Sequence, residues 1–339
     1  MKNIFCCLGL TILILDNQTA RTGIQEGIDL CLHAVIPSLF PFLIISSLLS
    51  SLNNNSKSRI LNPIGALCGI PAGSESILLL GLLSGYPIGA QMISQAYAKG
   101  ALKKDDALRM LGFCSNAGPA FIFGICSSIF QTKTVFILWI IHIASVLITA
   151  RVLPGKHRGN AELRNVSTTS LSDAIKKATI SMAIICAWIS FFRILLVYIQ
   201  KWFLNLVKPS LFCFISGFLE LTNGIIMLNG DYLEGQKFIY VSSFLAFGGL
   251  CVLAQTLSVT RSLGMGYYFP GKLIQSSTSF IIAYCVQFFI YAPHDTWQIN
   301  SIYLLIPLSI VIVTYIFLRY KKTVAFSGIM MYNKAKFST

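Results

Sequence analysis

The sequence has little charge. Only 11% of its 339 residues are Asp, Glu, Lys or Arg, whereas 55% are hydrophobic and the mean hydropathy is +0.72. Soluble globular proteins carry about 25% charged residues, because polar groups must cover a surface that faces water. The shortage excludes a soluble enzyme, a disordered chain and a secreted disulfide scaffold. A polytopic membrane protein remains.

Acidic residues are the scarcer kind, with 12 Asp and Glu against 26 Lys and Arg. The basic residues lie mostly between apolar runs, which is typical of cytoplasmic loops rather than of a nucleic-acid-binding surface, so no nucleic-acid partner is expected. The ten cysteines form no C-x-x-C pair and lie almost all in apolar stretches, which indicates neither disulfides nor a zinc site.

Catalytic motifs are also missing. The sequence contains no H-E-x-x-H or G-x-S-x-G, and the P-loop spacing of Gly266 to Lys272 places Leu273 where a Ser or Thr would bind magnesium. We therefore expect no enzyme activity, no catalytic residue, no metal site and no cofactor, although a proton or sodium ion could still serve as a coupling ion.

Several apolar runs are long enough to cross a bilayer, which takes about 20 residues. They cover residues 30–52, 111–130, 134–150, 178–199, 238–259, 273–292 and 301–318. A shorter run over residues 4–15 follows Lys2, as in a signal peptide, but Gln18-Thr19-Ala20 is a poor cleavage site. A retained, tilted first helix is therefore the expectation.

Two further apolar stretches, residues 77–97 and 211–229, are interrupted by glycine, proline and polar residues. A break at membrane depth frees backbone N–H and C=O groups, which only protein or a water-filled cavity can satisfy. Both stretches are predicted to be re-entrant hairpins or discontinuous helices. We place the interruptions of the second stretch at Gly217 and Gly224, on either side of Glu220.

Charge bias gives an orientation. Lys and Arg cluster in residues 99–109, 151–177 and 319–339, which should be cytoplasmic together with the C-terminus, whereas residues 293–300 contain none and should lie outside. The resulting order predicts an all-α polytopic membrane protein built as an inverted repeat of helix, re-entrant hairpin, helix and helix, with extra N- and C-terminal helices. The units are residues 1–29 (first helix and connector), 30–153 (first repeat), 154–177 (basic loop), 178–292 (inverted repeat) and 293–339 (last helix and basic tail).

Such repeats bind solute where their broken segments meet. In the first half the candidate solute-binding residues are Ser84, Gly85, Tyr86, Pro87, Gly89, Gln91, Asn116 and Gly118. In the second half they are Glu220, Thr222, Asn223, Gly224, Gly248, Gly249 and Gln255, with Arg193 as a cation for an anionic solute. Two alternatives stay open: the glycines could serve close helix packing, and Glu220 could pair with Arg193.

Four motifs resemble one family. Residues 80–91 (LGLLSGYPIGAQ), 113–125 (FCSNAGPAFIFGI), 218–224 (FLELTNG) and 244–258 (FLAFGGLCVLAQTLS) are similar to the YlbJ-like sporulation integral membrane proteins. That family carries the nucleoside-recognition Gate domain and is similar to concentrative nucleoside transporters. Gln91 departs from the pattern, since a Lys is expected there in many relatives.

The resemblance implies transport of a small polar solute during endospore formation. It suggests dipicolinate as the solute, the outer forespore membrane as the location and a role in spore cortex formation. We expect a transporter that works by alternating access, with the lipid bilayer and a small-molecule solute as partners and a homo-oligomer possible. The alternative is a non-transporting membrane factor that recruits or senses partners during spore assembly.

Overall fold

The computed structural model describes residues 2–52, 61–155, 161, 169–203, 208–230, 232–298 and 304–320. These residues form helices and contain no β-strand. The helices are α1 (Lys2–Leu15), α2 (Asn17–Leu30), α3 (Ile36–Leu52), α4 (Asn62–Cys68), α5 (Glu75–Leu83), α6 (Ile88–Ala98), α7 (Lys104–Leu111), α8 (Pro119–Cys126), α9 (Thr132–Val152), α10 (Leu171–Phe203), α11 (Pro209–Leu219), α12 (Leu221–Met227), α13 (Glu234–Phe247), α14 (Gly249–Val259), α15 (Tyr268–Ile290) and α16 (Leu304–Tyr320).

Within the described part of the chain, five helical segments are long and apolar enough to cross a membrane. They are Asn17–Leu48, Thr132–Val152, Leu171–Phe203, Glu234–Val259 and Tyr268–Ile290. The expected all-α polytopic membrane protein is therefore confirmed. The shorter apolar helices Cys6–Leu15 and Leu304–Tyr320 lie near the two ends.

The first spanning segment begins earlier than the predicted residue 30. It starts at Asn17 because the side chain of Asp16 caps the helix, accepting a hydrogen bond from Thr19 N. The helix then continues through a π-helical turn at Cys31–Val35 into α3. Gly23 and Gly27 let α2 approach the backbone of α10 closely, because a Cβ at either position would lie 2.7 Å from a Cα of α10.

Both interrupted stretches are helix–break–helix segments, as predicted. In the first, residues 84–87 separate α5 from α6; in the second, only Glu220 separates α11 from α12. The predicted interruptions at Gly217 and Gly224 are wrong, since both glycines lie inside helices. They face each other instead, so that a Cβ at Gly224 would overlap the Cα of Gly217. These two glycines serve close packing of the two short helices.

The predicted span over residues 111–130, which the polar, glycine- and proline-bearing residues 114–119 interrupt, is also broken. Helix α7 ends at Leu111 and α8 begins only at Pro119, after irregular backbone over residues 112–118. Pro119 suits the first turn of a helix, where its missing N–H costs nothing. The corresponding break in the second half falls at Gly248, which alone separates α13 from α14. Gly248 and Gly249, the first residue of α14, have successive left-handed φ angles of +84° and +83°.

The order of elements repeats along the chain. A long helix, a helix–break–helix segment, a broken helix and another long helix follow each other over residues 17–152 and again over residues 171–290. Whether the two units have opposite orientations, as an inverted repeat requires, stays a prediction. Half of the predicted basic loop, residues 156–160 and 162–168, lies outside the described residues, as do 301–303 of the last predicted span and most of the basic tail. The predicted end of the loop at residue 177 is wrong, because α10 already begins at Leu171.

Buried polar contacts join the helices. Two hydroxyl pairs, Ser242–Ser279 and Ser243–Ser276, connect α13 to α15 at 2.7 Å each. The guanidinium of Arg109 is buried and donates to the backbone carbonyls of Cys68, Gly69 and Ala150. The Arg109 bonds therefore link α4, α7 and α9. The serine pairs link α15 to α13.

Candidate functional site

The break between α11 and α12 is held by the side chain of Glu220. This residue has extended backbone (φ −143°, ψ +116°), and its carboxylate accepts hydrogen bonds from Thr222 N (3.1 Å), Asn223 N (2.8 Å) and Asn223 Nδ2 (2.6 Å). The first N–H groups of a helix have no partner inside it, and a carboxylate satisfies them well. Glu220 is 2% exposed. The hairpin tip therefore presents a buried, tightly held carboxylate.

Arg193 reaches this carboxylate only indirectly. Its NH1 donates to Asn223 Oδ1 at 2.9 Å, while its Nε and NH2 bind Glu26 Oε2 at 2.9 and 2.8 Å. The direct pair with Glu220 that the sequence left open is not formed. The groups instead make a chain from Glu220 through Asn223 and Arg193 to Glu26. Because Arg193 already has these partners, it is not free to bind an anion in this conformation.

The tip of the first broken segment is shaped by Gly85. Its φ of +81° is left-handed, and the Tyr86–Pro87 peptide bond that follows one residue later is cis. Gly85 packs against the backbone of Gly118, where a Cβ would come 3.2 Å from Gly118 N. The hydroxyl of Ser84 is buried and has no hydrogen-bond partner among the described residues. It is therefore a polar group that a solute could use.

Gly89 has a packing role. Both Gly81 and Gly89 lie on the carbonyl of Cys114, and a Cβ on either would overlap that oxygen. Gly89 and Gly224 therefore allow close helix packing, whereas Gly85 supplies the left-handed conformation of the turn.

Tyr86 joins the two halves. Its hydroxyl donates to Leu245 O in α13 at 3.3 Å, and its ring lies against Gly248, where a Cβ would come within 3.0 Å. Any residue other than glycine at position 248 would meet both this ring and an unfavourable left-handed backbone. The break between α13 and α14 thus receives the aromatic side chain at the tip of the first hairpin.

A small cavity of about 40 Å³ lies where these breaks meet. Its polar and glycine lining comes from both halves: Gly85, Tyr86, Gly118, Glu220, Thr222 and Gln255. The remaining lining is apolar and includes Ile185 and Ile189 of α10. One water occupies about 30 Å³ in the liquid, so the cavity has room for a water-sized group only. The cavity is therefore too small for a larger solute in this conformation.

The other predicted site residues lie off the cavity lining. Most of them belong to the breaks or contact residues of the breaks, namely Ser84, Pro87, Asn116, Asn223, Gly248, Gly249 and Arg193. Gly89 and Gly224 instead pack the short helices against each other. Gln91 is farther away. It lines a separate cavity of about 250 Å³ together with Gln95 and Lys177. Whether any of these residues binds solute stays a prediction.

The structure adds one residue that sequence reasoning missed. Lys272 is 1% exposed, and its Nζ donates to Gln275 Oε1 (2.8 Å), Asn116 Oδ1 (3.2 Å) and the Tyr86 hydroxyl (3.3 Å). In the sequence this lysine ends a P-loop spacing and lies just before the predicted span at 273–292. A lysine at the start of an apolar run with no neighbouring acid could have marked it as an intramembrane cation.

Comparison with known proteins gives one match of limited extent. A 135-residue stretch is 27% identical to the sporulation integral membrane protein YlbJ of Bacillus subtilis (strain 168). The match covers 39% of this chain and 33% of the relative, so the chain spans about one third of the curated protein's length. The chain is an integral membrane protein. No family model and no solved structure matches it, so the Gate domain stays an expectation.

Proposed function

We propose that this protein is a carrier that moves a small polar, anionic solute across a membrane during endospore formation. The observation that supports it most is the meeting of broken helices from both halves around one cavity that contains the carboxylate of Glu220. An intramembrane carboxylate is costly to bury and by default indicates function. The similarity to a sporulation membrane protein supports the biological setting.

Dipicolinate is the solute that we propose, on the family resemblance. A pyridine ring with two carboxylates is several times larger than the 40 Å³ cavity. Binding therefore requires the tips around Gly85 and Glu220 to separate. Movement of these short helices against the long helices α9, α10 and α15 would open the site to one side and then to the other, as in alternating access.

The acid at the site has a consequence for coupling. An ionised Glu220 would repel an anionic solute at short range, and the repulsion is strong where little water is present. A proton or a sodium ion bound to Glu220 would remove this repulsion. We therefore propose that solute movement is coupled to one of these ions, with Glu220 as the residue that carries it.

On the same resemblance, we propose that the protein works in the outer forespore membrane. We also propose that its C-terminus lies in the cytoplasm, because Lys and Arg cluster after residue 318.

Uptake of radiolabelled dipicolinate by proteoliposomes tests the function. The wild-type protein should give saturable uptake that a proton or sodium gradient accelerates, and Glu220→Gln should abolish the acceleration. Gly85→Leu should abolish uptake, because leucine strongly disfavours the left-handed turn. Uptake equal to that of empty liposomes under every gradient would overturn the proposal and favour a non-transporting assembly factor.

A further inference from the structure

Lys272 is a buried ammonium surrounded by neutral groups. An ammonium has three N–H donors, and three acceptors lie around Nζ: the side-chain oxygens of Gln275 and Asn116 and the hydroxyl of Tyr86. The ring of Tyr86 also lies 5.1 Å from Nζ, at a distance that favours a cation. The surroundings therefore match the charged form of the side chain.

A counter-charge is missing from the described part of the chain. None of its carboxylates forms an ion pair with Lys272, and the ion pairs that it does contain involve other cations. A buried charge without a partner of opposite sign is costly, because burial removes its hydration and nothing replaces it. A ligand that brings a negative charge would remove this cost, which makes Lys272 a place to look for an anion.

A second buried group, on a helix packed against that of Lys272, also lacks a partner. His142 of α9 is 1% exposed, and neither of its ring nitrogens has a hydrogen-bond partner among the described residues. Because α9 packs against α15, a ring N–H and an ammonium on these two helices are two donors that an anionic group could use.

The ammonium lies next to the solute cavity. Tyr86 lines the cavity and also contacts Lys272 through its hydroxyl and its ring. Of the three acceptors around Lys272 Nζ, Tyr86 is the one that also lines the cavity. A movement of the first hairpin tip that carries Tyr86 away would expose Lys272 to the cavity.

We propose that Lys272 recognises a carboxylate of the transported solute, with His142 as a second donor and Tyr86 as the side chain that moves aside. This inference rests on the proposed function and names its anion-binding residue. It also separates two roles: Lys272 binds the negative charge of the solute, and Glu220 carries the coupling ion.

The test is binding to the purified protein in nanodiscs, with dipicolinate and its neutral diamide as probes. The wild-type protein should prefer the diacid. Lys272→Gln should weaken diacid binding about tenfold or more, the loss expected for a charge-assisted hydrogen bond, and weaken diamide binding much less, so that the preference for the diacid is lost. Lys272→Arg should keep the preference. Lys237→Gln is the control, because Lys237 pairs with Glu234 instead.

The outcomes separate the two proposals. Wild-type protein that binds neither probe and moves no dipicolinate overturns the proposed function. Wild-type protein that binds diacid and diamide equally overturns only the role of Lys272, and this result needs no variant to fold. The same conclusion follows if Lys272→Gln elutes as a single species and prefers the diacid as strongly as the wild type.

Discussion

Replacing Gly224 by alanine tests whether the second hairpin depends on close backbone packing. The added methyl would overlap the Cα of Gly217 and lie 2.5 Å from its backbone N and 3.3 Å from the ring of Phe244. Neither backbone atom can turn away as a flexible side chain would, so α11 and α12 must separate.

Overpacking costs about 1–3 kcal/mol, and a backbone obstacle places this substitution at the upper end. Alanine regains about 1 kcal/mol of helix propensity over glycine. We therefore expect a net loss of about 1–2 kcal/mol in the free energy of unfolding. Because α12 begins at the residue that follows Glu220, its movement should also displace that carboxylate and reduce solute uptake.

Thermal unfolding in detergent and dipicolinate uptake measure the two effects. Gly9→Ala is the matched control: Gly9 lies in α1, and a Cβ there meets nothing within 4 Å, so this variant should be as stable as the wild type or slightly more stable. The reasoning is refuted if Gly224→Ala unfolds at the same temperature as Gly9→Ala and keeps wild-type uptake.

Three further experiments probe polar contacts in the fold and beside the site. Arg109→Met should lower the free energy of unfolding by about 3 kcal/mol or more, because three backbone carbonyls lose their donor. Arg109→Lys should recover only part of this stability, and a thermal melt that shows full recovery would contradict this interpretation. In a double-mutant cycle, Ser243→Ala and Ser276→Ala should show a coupling of about 0.6 kcal/mol; additive losses would mean that the hydroxyl pair is not stabilising. Arg193→Gln breaks a partly exposed ion pair with Glu26 and should cost about 1 kcal/mol or less in stability. Dipicolinate uptake by this variant should fall further than its loss of stability explains. Uptake that simply follows the amount of folded protein would argue against the link from Arg193 through Asn223 to Glu220.

The broken segments could be predicted from the sequence because glycine, proline and a carboxylate are costly inside an apolar run. Their local geometry was harder to predict. The sequence suggested that Gly217 and Gly224 interrupt the second segment, but the break falls at Glu220, whose side chain replaces the missing intrahelical partners of α12. Gly217 and Gly224 instead allow α11 and α12 to pack closely, a contact that depends on the folded arrangement of the two helices.

Lys272 shows why part of the site could not be predicted. Its burial depends on Asn116 and Tyr86, which lie more than 150 residues away in the chain. A local pattern contains no information on such contacts, and the glycine- and proline-rich residues before Leu273 favoured a connector. Gln91 shows a similar limit of a local motif, because its motif neighbours Gly85 and Tyr86 line the cavity while Gln91 lines another one; whether Gln91 binds solute stays a prediction.

Counterflow in proteoliposomes tests the central claim most directly. Vesicles that contain the wild-type protein are loaded with unlabelled dipicolinate and diluted into a trace of labelled dipicolinate. A carrier whose two halves share one alternately exposed site should accumulate the label transiently above its external concentration, and Gly85→Leu should not. Label that only equilibrates, or that enters no faster than in protein-free vesicles, would contradict the account.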